Sequence, residues 1–431
     1  MSNESTVLLS IRDAGTPAAR SYAFTILADS QTLDDRTLTP VESQEIGEIS
    51  GQYQSLFDQS SRYYATDYLE ILGSGLFHLF FEVAWGHIRS KASCGKVNLV
   101  VASDIPEVLI LPWEIVRPPD GDLLGFDSSI SILRLPLQQN SLPQFIGQLS
   151  PGPLRIVFAA CAPRQSLDYA KEEESFFKAS EGMEVVLDSC DLGTFEELGK
   201  RVDGFRPQIV HLVGQGVVKD GKNYFAFEGS NGIVDLKSSA EILKAMPGVQ
   251  VVFLSGCQGK SPYVLSNLGI ELVRTGLPLA ISWPGSITDA ETAVRAFYGD
   301  LASGNTLESA MTSMRREIGA VHKLGAPLLA FPSRYSMTDQ SRTFDPIQRS
   351  ILPQPLLSRK PPLKGTTEGY TENFVGRRRE LQRLVPALRE GTVKAVIITG
   401  PHGSGKSTLA VRLAEELESA GFTRSSLFLA L

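Results

Sequence analysis

Three short stretches hold residues whose types and spacing could do chemistry. GPHGSGKST, residues 400–408, fits the pattern G-x-x-x-x-G-K-[ST]. Gly400, Gly403 and Gly405 would let backbone N–H groups wrap a phosphate, with Ser404 and Thr408 in the same cradle. Lys406 would neutralise β- and γ-phosphates, and Ser407 would ligate Mg²⁺. ATP and Mg²⁺ are therefore the expected cofactors. The other two stretches are HLVGQG, residues 211–216, and VVFLSGCQG, residues 251–259. Each reads as an apolar strand that ends at glycine. Ligands gather at the carboxyl ends of strands in open parallel sheets. Two such ends side by side would set Gln215 next to Cys257, as a nucleophilic thiol and its partner are usually presented.

The elements that must position these residues follow from apolar periodicity. The strand KAVIITG precedes the glycine loop, and a helix from Lys406 carries Leu409, Leu413 and Leu417 on one face. From residue 152, continuous apolar runs (PLRIVFAAC, MEVVLDS, QIVHLVGQG, VQVVFLSGC, LPLAISWPG) alternate with helical segments such as YAKEEESFFKAS and FEELGKRVDGF. That order predicts an α/β fold, a parallel sheet covered by helices on both faces. Nearer the N-terminus, VLLSIRD, VNLVVAS and EVLILPWEIV read as strands. Residues 69–91 read as one helix burying Leu72, Leu76, Leu79, Phe80 and Val83. The texture loosens after residue 333 into Pro-, Ser- and Arg-rich sequence. The expected units are 1–335, a linker at 336–370, and the first part of a P-loop βαβ unit at 371–431.

Bulk properties narrow the function classes. The chain has 431 residues, 42% hydrophobic and 21% charged, with net charge −7. This is ordinary composition for two or three soluble domains. The acidic balance argues against a broad nucleic-acid surface, and RRR at 377–379 reads as a solvated helix start. No signal peptide and no bilayer-length apolar stretch is expected. Cys94, Cys161, Cys190 and Cys257 form no CxxC pair, so free thiols in a reducing cytoplasm are expected.

Two resemblances sharpen the reading. Residues 60–325 resemble a CHAT domain, a branch of the caspase-like cysteine peptidases. The blocks that carry it are LPWEIVRPPDGDLLGFDSSISILRLP, KEEESFF, IVHLVGQG, VVFLSGCQG and the segment from LPLAISWPG to TSMRR. The implied fold is a caspase-like parallel-sheet sandwich with helices on both faces. NFVGRRREL and the loop after it resemble the opening of STAND and AAA-type ATPase domains, where this box lies near base and ribose.

The CHAT pattern reads H-x-x-G-H-G on the first strand end. Its second histidine is the general base, and the cysteine on the other end is the nucleophile. Here the nucleophile position holds Cys257 and the base position holds Gln215. His211 keeps the first, normally non-catalytic, histidine. It shares strand parity with Gln215 but lies roughly 13 Å back, which favours a supporting role in the core. His322 and His402 have no sequence reason to approach Cys257.

A glutamine cannot take the proton of a thiol, and loss of a general base costs about 10²–10⁴-fold. The expected function is a regulated CHAT-type signalling or defence protein that is a pseudo-peptidase or an impaired peptidase. Two alternatives stand beside it. One is an active cysteine endopeptidase using Cys257 with another base; the other is an ATP-binding assembly or sensor scaffold.

Further expectations follow. Residues 371–431 supply no Mg²⁺-positioning aspartate strand, so ATP hydrolysis by these residues alone is not expected. The partners expected are a protein or peptide, a nucleotide, and further copies of the chain through residues beyond 431, with no membrane. Asp289 and Glu172–Glu174 are candidates for peptide specificity, against a plain reading of the glutamates as a solvated helix face. A lone βαβ piece cannot bury both faces of its strand, so it is expected to be loosely held unless it docks on the first unit.

Overall fold

The computed structural model describes residues 4–15, 21–55, 65–137, 154–161, 170–179, 185–229, 233–257, 263–282, 290–303, 305, 307–321, 333–336 and 377–419. The chain opens with β1 (Glu4–Asp13) and the hairpin β2 (Tyr22–Ala28) and β3 (Gln31–Thr37). Helices α1 (Pro40–Ser55), α2 (Ala65–Phe80) and α3 (Trp85–Cys94) follow, then β4 (Lys96–Ser103). A short helix α4 (Pro106–Leu109) leads to β5 (Ile130–Pro136). The alternating part begins with β6 (Leu154–Ala160), α5 (Ala170–Ala179), β7 (Val185–Cys190) and α6 (Phe195–Phe205). It continues through β8 (Ile209–Lys219), β9 (Lys222–Glu228), β10 (Val234–Lys237), α7 (Ser239–Lys244) and β11 (Val251–Cys257). Next come α8 (Val264–Thr275), β12 (Leu279–Ser282), α9 (Ala290–Ala302), α10 (Leu307–Val321) and β13 (Ser333–Ser336). The described chain ends with α11 (Arg378–Arg389) and α12 (Lys406–Ser419).

The strands form one sheet in the order β10-β9-β8-β11-β12-β13-β5-β4-β1-β2-β3, with β6 paired to both β7 and β8. The Val/Ile-rich strands β7, β6, β8, β11 and β12 run parallel, as expected. Their two faces are buried separately. One face packs against α5, α9 and α10 through Phe158, Phe176, Val213, Phe253 and Phe297. The other packs under α6, α7 and α8 through Leu198, Val210, Leu212, Ile242 and Leu268. The α/β class therefore holds, but the sheet is mixed. β9, β10, β2, β3 and β13 pair antiparallel to at least one neighbour.

Several expectations are corrected. The helix read over 69–91 is two helices, α2 and α3, bent by 103°. The chain leaves α2 where Glu82 N–H donates to Phe77 O at 3.1 Å, one residue beyond the helical spacing. Val83 falls in that break and is exposed, whereas Leu72, Leu76, Leu79 and Phe80 are buried. EVLILPWEIV is not a strand but α4 followed by a 3-10 turn at Trp113–Ile115. A short apolar run cannot be assigned by periodicity alone. Here Pro112 withholds a donor, and the buried Arg134 side chain takes the carbonyls of Leu109 and Leu111 at 2.6 and 2.9 Å.

β8 does not end at its glycines but continues to Lys219 in a hairpin with β9. Residues 333–336, where the texture begins to loosen, form β13, which sits between β12 and β5. KAVIITG forms no strand, and Ile397 is 89% exposed. A strand exists only by pairing with at least one neighbour, and KAVIITG has none among the described residues. No described helix is long and apolar enough to cross a membrane by itself.

Candidate functional site

The parallel register sets the first candidate site. Val251 to Cys257 of β11 pair with Ile209 to Gln215 of β8, so Cys257 stands directly across from Gln215. On its other edge β8 changes partner at this point. Residues Ile209–Val213 pair with β6, whereas Gln215 pairs with Ala226 of β9. Gln215 therefore lies at the seam where the parallel sheet gives way to the hairpin, and it is half-buried. Two glycines allow the strands to meet there. Gly256 has φ +130°, and a Cβ on it would lie 2.0 Å from Gly214 O. A Cβ on Gly214 would lie 2.4 Å from the Phe225 ring.

His211 is not at this end. It pairs in register with Phe253, four residues before Cys257, and is fully buried. Its ring stacks on Phe253 at 4.5 Å and 8°. Nδ1 lies 2.9 Å from the Tyr298 hydroxyl and Nε2 lies 3.1 Å from Glu172 Oε1. The carboxylate accepts from Nε2–H, which leaves Nδ1 for the tyrosine O–H. Both nitrogens are thus engaged, and His211 ties β8 to α5 and α9. Burial pushes the Tyr298 hydroxyl well above its ordinary range, and Glu172 adds to this.

Glu172 and Glu173 are buried, so α5 is not the solvated face expected; only Glu174 of the three is exposed. Tyr298 carries no local signal in the sequence, because a tyrosine on an apolar helix face reads as packing. Asp289, His322 and the segments 162–169, 258–262 and 283–289 around the strand ends lie outside the described residues. Cys161 and Cys190 are free and buried. Burial raises both thiols well above their ordinary value, so neither is a competing nucleophile.

The second candidate is the glycine loop. Gly403 and Gly405 have φ +77° and +75°, a backbone that side chains rarely adopt, and α12 starts at Lys406. Lys406 Nζ donates to Pro401 O at 2.6 Å, and Arg377 Nη2 donates to Ser404 O at 2.9 Å. Ser407 and His402 are exposed. Leu381, Val385, Leu409 and Leu413 form a small core of their own with Leu192 of the first unit against it.

The C-terminal helices are docked, not loose, and an ion network holds them. Arg378, expected to be solvated, is fully buried. Its guanidinium donates to Glu173 and Asp191, to Ser189 Oγ at 2.8 Å and to Cys190 O at 3.3 Å. Arg412 of α12 donates from Nε to the other oxygen of Asp191 at 2.6 Å. Gln382 Nε2 donates to Ala160 O at 3.0 Å, and Ala160 pairs with Val213 of β8. The dock therefore covers the carboxyl ends of β6 and β7, beside the end that carries Gln215.

Burial works to raise Asp191, but Arg378, Arg412 and Arg201 outweigh it and hold the carboxyl below its ordinary value. Glu197 accepts the backbone N–H groups of Asp191, Leu192 and Gly193 at 2.8, 2.8 and 3.2 Å. Burial, with Asp191 and Glu416 nearby, pushes it up to about 7. Carboxylate oxygens of Asp191, Glu197 and Glu416 lie within 4.8 Å of one another. Arg201, Arg378 and Arg412 stand among them, so the cluster is an ion network with its own cations. A cleft of about 1360 Å³ opens beside it, between α6 and β10 on one side and α11 and α12 on the other.

The fold and site define an α/β protein whose parallel strands set a cysteine position in register with a glutamine, where β8 passes from the parallel sheet into the hairpin. Residues 70–327 match the CHAT domain family. That is more than half of the chain, and the chain belongs to this family. No curated protein matches it. Among solved structures it is similar to a chain of the Saccharomyces cerevisiae separase–securin complex. The TM-score is 0.44 at 11% identity, over 78% of this chain and 30% of that one. The chain thus spans under a third of that relative's length.

Proposed function

We propose that this chain is a CHAT-type, caspase-derived signalling protein whose strand ends recognise a protein or peptide with little or no cleavage. Residues 371–431 add an ATP–Mg²⁺-binding unit, with Gly400, Gly403, Ser404, Gly405, Lys406 and Thr408 around the phosphates and Ser407 at the metal. The observation that carries the reading is the register. Cys257 pairs in register with Gln215, and His211 is held in the core four residues away with both nitrogens engaged. Among the described residues no histidine stands at the strand ends.

Gln215 offers a carbonyl and an amide, which suits hydrogen bonding to a peptide backbone and not proton transfer. An unassisted thiol has a pKa of about 8.5 and is a few per cent ionised at neutral pH. The test is the pH dependence of Cys257 alkylation, with peptide turnover measured alongside. Cys257→Ser corrects for the other thiols. The expected result is an ordinary thiol profile without turnover. In Gln215→His the profile shifts to lower pH. Rapid alkylation below pH 7 together with turnover in the unaltered chain would reject this reading and restore the active-peptidase alternative.

A further inference from the structure

Two consecutive residues connect the two candidate sites. Arg377 is the last residue before α11 and has φ +57°. Its side chain holds the glycine loop through Ser404 O. The next side chain, Arg378, turns the other way and is buried among Glu173, Ser189 and Asp191 of the CHAT unit. A second connection runs parallel to the first. Helix α12 begins at Lys406, in the loop, and six residues later presents Arg412 to Asp191. Asp191 thus receives both connections, one on each carboxylate oxygen.

We infer that occupancy of the glycine loop by a polyphosphate and docking of α11 and α12 on the CHAT strand ends oppose one another through Arg377–Arg378 and Asp191. The inference rests on the reading of residues 400–408 as a nucleotide site. Its sign follows from charge. The docked interface gathers more carboxylates than arginines, with Glu173, Asp188, Asp191, Glu197 and Glu416 around Arg201, Arg378 and Arg412. Six further carboxylates line the adjoining cleft, among them Glu196, Glu390 and Glu418, against the three further cations Lys200, Arg383 and Arg389, so the excess of negative charge persists. A polyphosphate brings several further negative charges to the loop. It competes with Ser404 O for Arg377 and with Pro401 O for Lys406, and it repels the acidic face on which the unit sits. Coupling is reciprocal: whatever weakens the dock strengthens nucleotide binding, and nucleotide loosens the dock.

The experiment measures ATP–Mg²⁺ affinity by calorimetry, and hydrogen exchange of α11 amides with and without ATP–Mg²⁺. It uses the full chain, Asp191→Asn, Arg412→Gln and Lys406→Ala. Arg412→Gln leaves the CHAT unit untouched, so it serves if Asp191→Asn fails to fold. The expected result is faster α11 exchange in both interface variants and ATP affinity raised by about 3- to 10-fold, within the usual range of coupling. ATP–Mg²⁺ accelerates α11 exchange in the unaltered chain and not in Lys406→Ala. Equal affinity in docked and undocked forms, or slower α11 exchange with ATP, overturns the inference alone. Absence of binding to any form, or undiminished binding by Lys406→Ala, overturns the nucleotide reading and the inference with it.

Discussion

His211 has one ring nitrogen on Glu172 and the other on Tyr298, and its face lies on Phe253. Replacing it with phenylalanine keeps the stacking shape but leaves a buried carboxylate and a buried hydroxyl without that partner. Such losses cost about 3 kcal/mol. His211→Phe is therefore expected to lower the denaturation midpoint markedly while changing the Cys257 alkylation rate less than about twofold. A large change in alkylation at unchanged stability would instead make His211 part of the thiol chemistry. The register of Gln215 with Cys257 was legible, because two apolar runs each ended in glycine. The partners of His211 were not. Glu172 and Tyr298 come from helices 39 and 87 positions away in the chain, and no local spacing reports that.

At the scale of elements, β8 and β11 meet without side chains between them at Gly214 and Gly256. A methyl group on Gly256 would collide with Gly214 O, and φ +130° adds backbone strain. Gly256→Ala is expected to destabilise the protein by about 3 kcal/mol, with strain and overpacking both contributing. A thermal melt within a degree of the unaltered protein would contradict the close approach. The Val/Ile-rich parallel strands were readable because burial on both faces leaves continuous apolar runs. The misread elements share a different cause. EVLILPWEIV and the break at residue 83 are decided by groups distant in sequence, chiefly Arg134, and by a loss of helical hydrogen bonding that composition does not mark. The β9–β10 hairpin leaves little signal because β9, KNYFAFE, opens and closes on charged residues and β10, VDLK, has only four residues.

For the whole molecule, Glu197 is expected to make the join between the two units pH-dependent. Its carboxyl is raised from 4.5 to about 7, so the folded chain binds a proton more readily than the unfolded one. The corresponding stability is fully present below about pH 4.5 and is lost as pH rises through 7. Between pH 6 and 8 the denaturation midpoint is expected to fall, and the fall is smaller in Glu197→Gln. An equal fall in both proteins would assign the effect to another group. The docking itself was half legible. A lone βαβ piece was expected to need a surface, but a run of three arginines gave no sign that its second member is buried.

β13 gives the molecule a mechanical property. This four-residue strand lies between β12 and β5 and is the link by which the two halves of the sheet are continuous. The chain that leads to the C-terminal helices departs from Ser336, at the end of that strand. Tension applied to the chain at Ser336 would fall first on this strand. β13 holds β12 through four registered pairs but β5 through one, Tyr335 with Arg134, so the sheet is joined most thinly on the β5 side of that strand.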